Sequence, residues 1–258
     1  MEDKRVRVRL LGAFEVEGVP ERDLGSRKGR LLLKVLAAAR GAPVPVDLLA
    51  EVLWGDDQPA RPADQVGVLV SRLRGVLGAH RIPRSDAGYS LVADWTDVAA
   101  LVELSAAAAE ALDAGRVGAA RAAADAALAL ARGPLLADED GLWVEADRAA
   151  VQASVTRLRR LAVDAAVTAG DPGGAAALAE QALAADPYDE AVLRALMNAH
   201  LAAGRPASAL AAYARVRERL AEDLGVPPTA ETEALHADTL AAADGDAAGP
   251  LPAPPAPS

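Results

Sequence analysis

From Arg5 to Leu11 charged and apolar residues alternate strictly, Val6, Val8 and Leu10 against Arg5, Arg7 and Arg9. That period of two predicts a half-buried strand. Phe14-Glu15-Val16 resumes the pattern after Gly12, and Gly18-Val19-Pro20 turns the chain, so a small antiparallel sheet is expected ahead of the first helix. The period then lengthens. Arg27 to Ala39 puts Leu31, Leu32, Val35 and Leu36 on one helical face and stops at Gly41-Ala42-Pro43. A second helix, with Asp47 as its expected N-cap, carries Leu48, Leu49, Val52 and Leu53 and closes on Trp54-Gly55. Gly55-Asp56-Asp57-Gln58-Pro59 has the composition of a turn.

A third helix is predicted from Pro62 to Leu77-Gly78. Its apolar stripe of Val66, Leu69, Val70, Leu73 and Leu77 leaves Asp64, Val68, Ser71, Arg72 and Gly75 facing outward. Asp86-Ala87-Gly88-Tyr89-Ser90-Leu91 then reads as a glycine-centred hairpin. Two short helices joined by a turn, arginines on the second and a β-hairpin after it are the parts of a winged helix-turn-helix, in which one helix enters a DNA major groove.

From Val98 to Ala243 the pattern is helical throughout, broken at Ala114-Gly115-Arg116, Arg132-Gly133-Pro134, Gly170-Asp171-Pro172, Asp186-Pro187 and Gly204-Arg205-Pro206. Gly170 and Gly204 are separated by the tetratricopeptide period of about 34 residues. In that register Ala175 and Ala209 fall where paired helices touch, and a larger side chain there would push the axes beyond roughly 8–10 Å. The expected fold is therefore mainly α. A winged helix-turn-helix with small antiparallel sheets occupies residues 1–96, an all-α TPR-like domain residues 97–243, and a Pro/Ala-rich tail, expected to be disordered, residues 244–258.

The net charge of −10 argues at first against nucleic acid, but it is unevenly spread. Residues 1–98 carry 15 Lys and Arg against 14 Asp and Glu, a net +1; residues 99–258 carry 12 against 23, a net −11. Basic clusters at Arg27-Lys28-Gly29-Arg30, Arg72/Arg74 and Arg81/Arg84 all lie in the first part, and local field matters more for docking than the total. The absence of cysteine excludes disulfides, thiolate metal sites and a cysteine nucleophile. The N-terminus lacks the roughly 7–15-residue apolar core of a signal peptide, and no run approaches the ~18 apolar residues of a membrane span. A cytoplasmic protein without a membrane partner is expected.

The strand segment, the Lys28-containing helix, Val46-Asp47-Leu48-Leu49 through Leu53-Trp54-Gly55, Val70-Ser71-Arg72-Leu73-Arg74, Gly88-Tyr89, Arg132-Gly133-Pro134-Leu135 and Leu224-Gly225-Val226-Pro227-Pro228-Thr229 occur in one order. Together they resemble the SARP/AfsR-type transcriptional regulators, across about residues 5–240. The resemblance implies an OmpR-type winged helix followed by a TPR-like bacterial transcriptional activator domain. It further implies an activator of a gene cluster, such as one for secondary metabolism, that binds direct repeats and recruits RNA polymerase. Larger members continue into an ATPase module; this chain has no Gly-x-x-x-x-Gly-Lys-Ser/Thr loop.

The expected partners are double-stranded DNA, a second copy of the chain and RNA polymerase. Arg72 is the candidate for a guanine edge, since a guanidinium fork matches O6 and N7 together, with Asp64, Val68 and Ser71 beside it. Arg74, Lys28 and Arg30 are candidates for phosphates, and Arg81 and Arg84 for the wing. Asp64, Gly67 and Leu69 depart from the amides and polar groups common in relatives, so base readout is expected to be thin. Trp54, Trp143 and Tyr213 are expected packing anchors, with Trp95 near a join between domains. The scattered His80, His200 and His236 form no metal site, and no cofactor is implied. Two other classes stay open: a TPR-like scaffold whose DNA-binding fold is degenerate, and an enzyme, against which stands the lack of any nucleophile–base pair.

Overall fold

The computed structural model describes residues 5–247, which are mainly helical. The chain divides into two compact units, one built from residues up to 106 together with 126–155, the other from 107–125 and residues after 155. These units interleave along the chain, because it returns to its first sheet after the fifth helix.

In the first unit, strand β1 (Arg7–Arg9) pairs antiparallel with β2 (Glu15–Val16), Val8 opposite Val16. Val6, Val8 and Leu10 are buried, as the alternation requires, while Arg7 and Arg9 lie on the other face. Helix α1 (Arg27–Ala38) is capped by Ser26, whose Oγ accepts from the Gly29 amide at 3.2 Å. Helix α2 (Val46–Trp54) starts two residues earlier than expected. Pro45 is its N-cap and Asp47, already inside the first turn, makes no capping bond. Helix α3 (Pro62–Leu77) begins on a proline at its first turn. It buries Val66, Val70, Leu73 and Leu77 against α1 and α2. Leu69, expected in this stripe, is half-buried, as is Gly67.

Strands β3 (Arg84–Ser85) and β4 (Gly88–Tyr89) form the hairpin, with Asp86-Ala87 as its loop. Its seat is backbone on backbone. Val44 and Tyr89 exchange both amide bonds, at 2.7 and 3.0 Å. Gly88 sits at φ +129°, and a Cβ there would lie 1.9 Å from the Val44 carbonyl oxygen; no side chain fits.

Strand β5 (Trp95–Thr96) joins β1 in parallel, Arg7 opposite Trp95, giving the order β2-β1-β5. The antiparallel sheet was expected; this parallel strand was not. Arg7 and Arg9 guanidiniums lie 4.3 and 5.5 Å from the Trp95 ring centroid. Helix α4 (Asp97–Asp113) opens on a fully buried aspartate. The Asp97 carboxylate accepts from the Leu10 amide at 2.8 Å, the Leu11 amide at 2.9 Å and the Val98 amide at 2.9 Å. It replaces the partner strand that those β1-side amides lack.

After helix α5 (Val117–Leu130), residues 134–137 return to the sheet. Gly12 donates to the Pro134 carbonyl at 2.9 Å and Leu136 to that of Leu10 at 2.7 Å. Arg148, on helix α6 (Glu145–Thr168), donates to the carbonyls of Leu135, Leu136 and Glu139. Lys34, buried on α1, pairs with both Asp138 and Glu139. Burial of a lysine requires such partners.

The second unit is TPR-like. Helices α7 (Pro172–Ala185), α8 (Glu190–Ala202) and α9 (Pro206–Arg219) pack in sequence, and α9 runs into a π-helical turn at Leu220–Leu224 before α10 (Ala230–Ala247). Gly170 and Gly204 both take left-handed backbone, φ +68° and +66°, each two residues before a proline that starts a helix. Asp171 caps α7 through the Gly174 amide at 2.8 Å, so this glycine-rich segment is a helical-hairpin turn. Ala175 and Ala209 are fully buried at the expected crossings, and Tyr213 is 3% exposed. Helix α10 extends four residues into the expected tail; residues 248–258 lie outside the described residues.

Replacing Asp97 by alanine orphans buried amides at Leu10 and Leu11, with an expected loss of about 3 kcal/mol of stability. Urea unfolding midpoints of the two full-length proteins measure it; an unchanged midpoint contradicts the anchoring role.

Candidate nucleic-acid interface

Helix α3 owes its position to the buried stripe on one side, and that stripe fixes what the other side presents. At 100° per residue, Val68 lies opposite Val66 and Leu77. Asp64, Gln65, Ser71, Arg72 and Gly75 cluster around it, and all are exposed. Val68 itself is 45% exposed. Arg72 makes no ion pair or hydrogen bond among the described residues, so its fork is available. Asp64 gives α3 no capping bond and lies 3.9 Å from the guanidinium of Arg61, which is 84% exposed.

The remaining expected residues separate into available and engaged cations. Lys28 is exposed, its ammonium 4.8 Å from the Trp54 ring centroid. Trp54 is half-buried, and so less of a core wedge than expected. Arg30 is half-buried and turned back, donating to the Gly25 carbonyl at 2.7 Å and pairing with Glu21 at 3.1 Å. Arg74 donates through Nε and Nη2 to the Ile82 carbonyl, at 2.9 and 2.5 Å, with its guanidinium 5.8 Å from the Tyr89 centroid. It binds α3 to the segment leading into the hairpin instead of reaching outward. Arg84 is exposed on the hairpin, 5.5 Å from the same ring.

Arg81 corrects the sequence expectation most clearly. It is 4% exposed, pairs with Asp94 at 3.0 Å and is tied to Val92 through both backbone and side chain. Its place in the chain before the hairpin suggested the wing surface; the carboxylate 13 residues later draws it inward. The Arg81 guanidinium, and after it the Val6 amide, hold the Asp94 carboxyl below its ordinary range.

Two exposed groups, Gln65 and Arg61, escaped sequence reasoning, and Arg27 was counted in a basic cluster without being assigned a contact. Gln65 lies seven residues before Arg72, hence on the same helical line; helical angle alone would have found it. Arg27 and Arg61 stand exposed at the starts of α1 and α3. Among the described residues no cluster of His, Asp or Glu is arranged to hold a metal ion, and no helix is long and apolar enough to cross a membrane.

In the second unit an open groove is lined by Tyr213, Arg217, Val226, Pro227, Glu233 and His236. Tyr213 and His236 stack with centroids 3.8 Å apart. Burial, then a hydrogen bond to Glu233, pushes the Tyr213 hydroxyl up to about 12.

The relatives of this chain include named transcriptional regulators. Residues 96–240 match the bacterial transcriptional activator domain family. The chain is 30% identical to the regulatory protein DnrI of Streptomyces peucetius, covering 87% of this chain and 88% of that one. It is 32% identical to the transcriptional regulatory protein EmbR of Mycobacterium tuberculosis and 31% identical to the regulatory protein AfsR of Streptomyces griseus. It spans 63% of the former's length and 23% of the latter's. The solved structure of M. tuberculosis EmbR in complex with a low affinity phosphopeptide superposes with a TM-score of 0.82 at 30% identity, over 92% of this chain and 65% of that one. The chain belongs to the bacterial transcriptional activator domain family, among the SARP/AfsR-type regulators.

Asp94 keeps its charge to lower pH in the folded protein than in the unfolded chain. Its stabilisation is therefore full above about pH 4 and fades as pH falls further. Arg81→Met is expected to lower the urea midpoint at pH 7, with the gap from wild type narrowing below pH 4. A gap independent of pH would remove the ion pair from the explanation.

Proposed function

We propose that the chain is a sequence-specific DNA-binding transcriptional activator whose α1–α3 and β3–β4 act as a winged helix-turn-helix. Helix α3 enters the major groove of double-stranded DNA, and the hairpin serves as the wing. The single observation that carries this is the exposed face of α3. A free arginine, an amide and a hydroxyl share one helical side, opposite the stripe that fixes the helix in the core.

Lys28, Arg27, Arg61 and Arg84 contact phosphates, and Arg72 the base edges, with Asp64, Val68 and Ser71 around it. Residues 1–96 constitute the reading domain by function, and residues 97–243 the activator domain, which mediates dimerisation on direct repeats and contact with RNA polymerase in the cytoplasm. Support comes from membership of a family of transcriptional regulators. A gene cluster such as one for secondary metabolism is the target class.

A second reading, a scaffold with a degenerate reading head, draws on the inward engagement of Arg30, Arg74 and Arg81 and on the groove around Tyr213 and His236. Salt separates the two. With roughly 3–5 phosphates neutralised per protomer, log K falls against log salt with a slope of about −3 to −5; a scaffold shows none. Footprinting over promoters beside its own gene is expected to protect a pair of spaced repeats. Arg72→Ala is expected to weaken the protected site by about 1–3 kcal/mol while sparing random DNA. Equal losses on both would remove Arg72 from base reading.

A further inference from the structure

Val68 is the one large apolar residue at the centre of an otherwise polar helical face. Nothing in the fold requires it. It lies opposite the buried stripe, and a wet β-branched residue in a helix lowers helix propensity without gaining burial. Among the groups that unmodified DNA presents in the major groove, one is apolar: the C5-methyl of thymine.

Its neighbours set the spacing. Gln65 and Arg72 flank Val68 on the same side, at about +60° and +40° around the axis. They are seven residues apart, so about 10 Å along it, which corresponds to roughly three base steps of 3.4 Å. An amide is bidentate for adenine N6 and N7, and a guanidinium for guanine O6 and N7. Asp64 lies on the other side of Val68 and is partnered by Arg61; Ser71, beside it, can donate or accept at any base.

We infer that Val68 reads a thymine methyl, placed between an adenine held by Gln65 and a guanine held by Arg72, so that each half-site is specified over about four base pairs. This rests on the DNA-reading function proposed above and adds its base specificity.

Selection of random-sequence duplexes by the purified full-length chain supplies the probe. The enriched duplex is then resynthesised with deoxyuridine at single thymine positions, which removes one methyl and leaves every hydrogen-bonding group in place. One position within two base pairs of the Arg72-dependent guanine is expected to lose about fourfold in affinity, the worth of one buried methyl group. Val68→Ser, at an exposed site that leaves the fold intact by circular dichroism, is expected to bind thymine and deoxyuridine duplexes equally.

If deoxyuridine is neutral at every position for the wild-type chain, or if Val68→Ser discriminates as strongly as wild type, the methyl contact is wrong while DNA binding stands. If no sequence is enriched and binding to duplex DNA is absent at low salt, the DNA-reading function falls and the base assignment with it.

Discussion

The carboxylate of Asp97 is the constraint on which the first unit rests. Strand β1 leaves the pairing of its three-stranded sheet at Leu10, inside the core, where unpaired amides carry the full cost of lost hydration. Asp97 collects two of those amides and at the same time starts α4 by accepting from Val98. One side chain thereby joins the end of the sheet to the first turn of α4, which Thr96 caps by accepting from the Ala99 amide at 3.1 Å. The strand's carbonyl side is completed elsewhere, by Leu136 donating to Leu10. Sheet, first helix and the 134–139 segment form one body because each satisfies backbone or charge that the others bury.

The same logic shapes the candidate interface. Arginines near the hairpin divide by whether a neighbouring acceptor captures them. Arg74 holds the Ile82 carbonyl and Arg81 holds Asp94, so both set the position of the hairpin instead of extending its charge. Arg72 on α3 remains without an ion pair, and Arg27, Lys28, Arg61 and Arg84 remain exposed. Residues 1–98, nearly neutral in total charge, therefore present their cations selectively. Gln65, Val68 and Arg72 form the exposed line of α3 on which the proposed base reading rests.

Helix positions were legible in the sequence because they depend on local period and punctuation. The bounds of α1 and α3, the glycine–proline breaks before α7 and α9, and the small residues at Ala175 and Ala209 all follow from neighbours within a few residues. Other features depend on distant partners. Strand β5 is two residues long and pairs across 88 residues, too short to register as a period. The return of residues 134–137 to the sheet and the burial of Lys34 against Asp138 and Glu139 have no local signature either. For the interface, outward angles on α3 were recoverable, including that of Gln65, which simple attention to charge passed over. The internal engagement of Arg30, Arg74 and Arg81 was not, since a cation in a sequence does not announce which acceptor will reach it.

The interleaving of the first unit has a consequence for synthesis. Ribosomes deliver a chain from its N-terminus at about 5–20 residues per second, and domains commonly fold as they emerge. Here the earliest segment waits. Leu10, Gly12 and Lys34 meet their partners only after residues 134–139 have left the exit tunnel, and Arg148 must follow to clamp that segment. The N-terminal sheet is thus made well before it can be finished, since the segment that completes it lies about 125 residues further along the chain. A nascent chain stalled before that point leaves the Leu10 carbonyl, the Gly12 amide and the Lys34 ammonium without the partners that complete the unit.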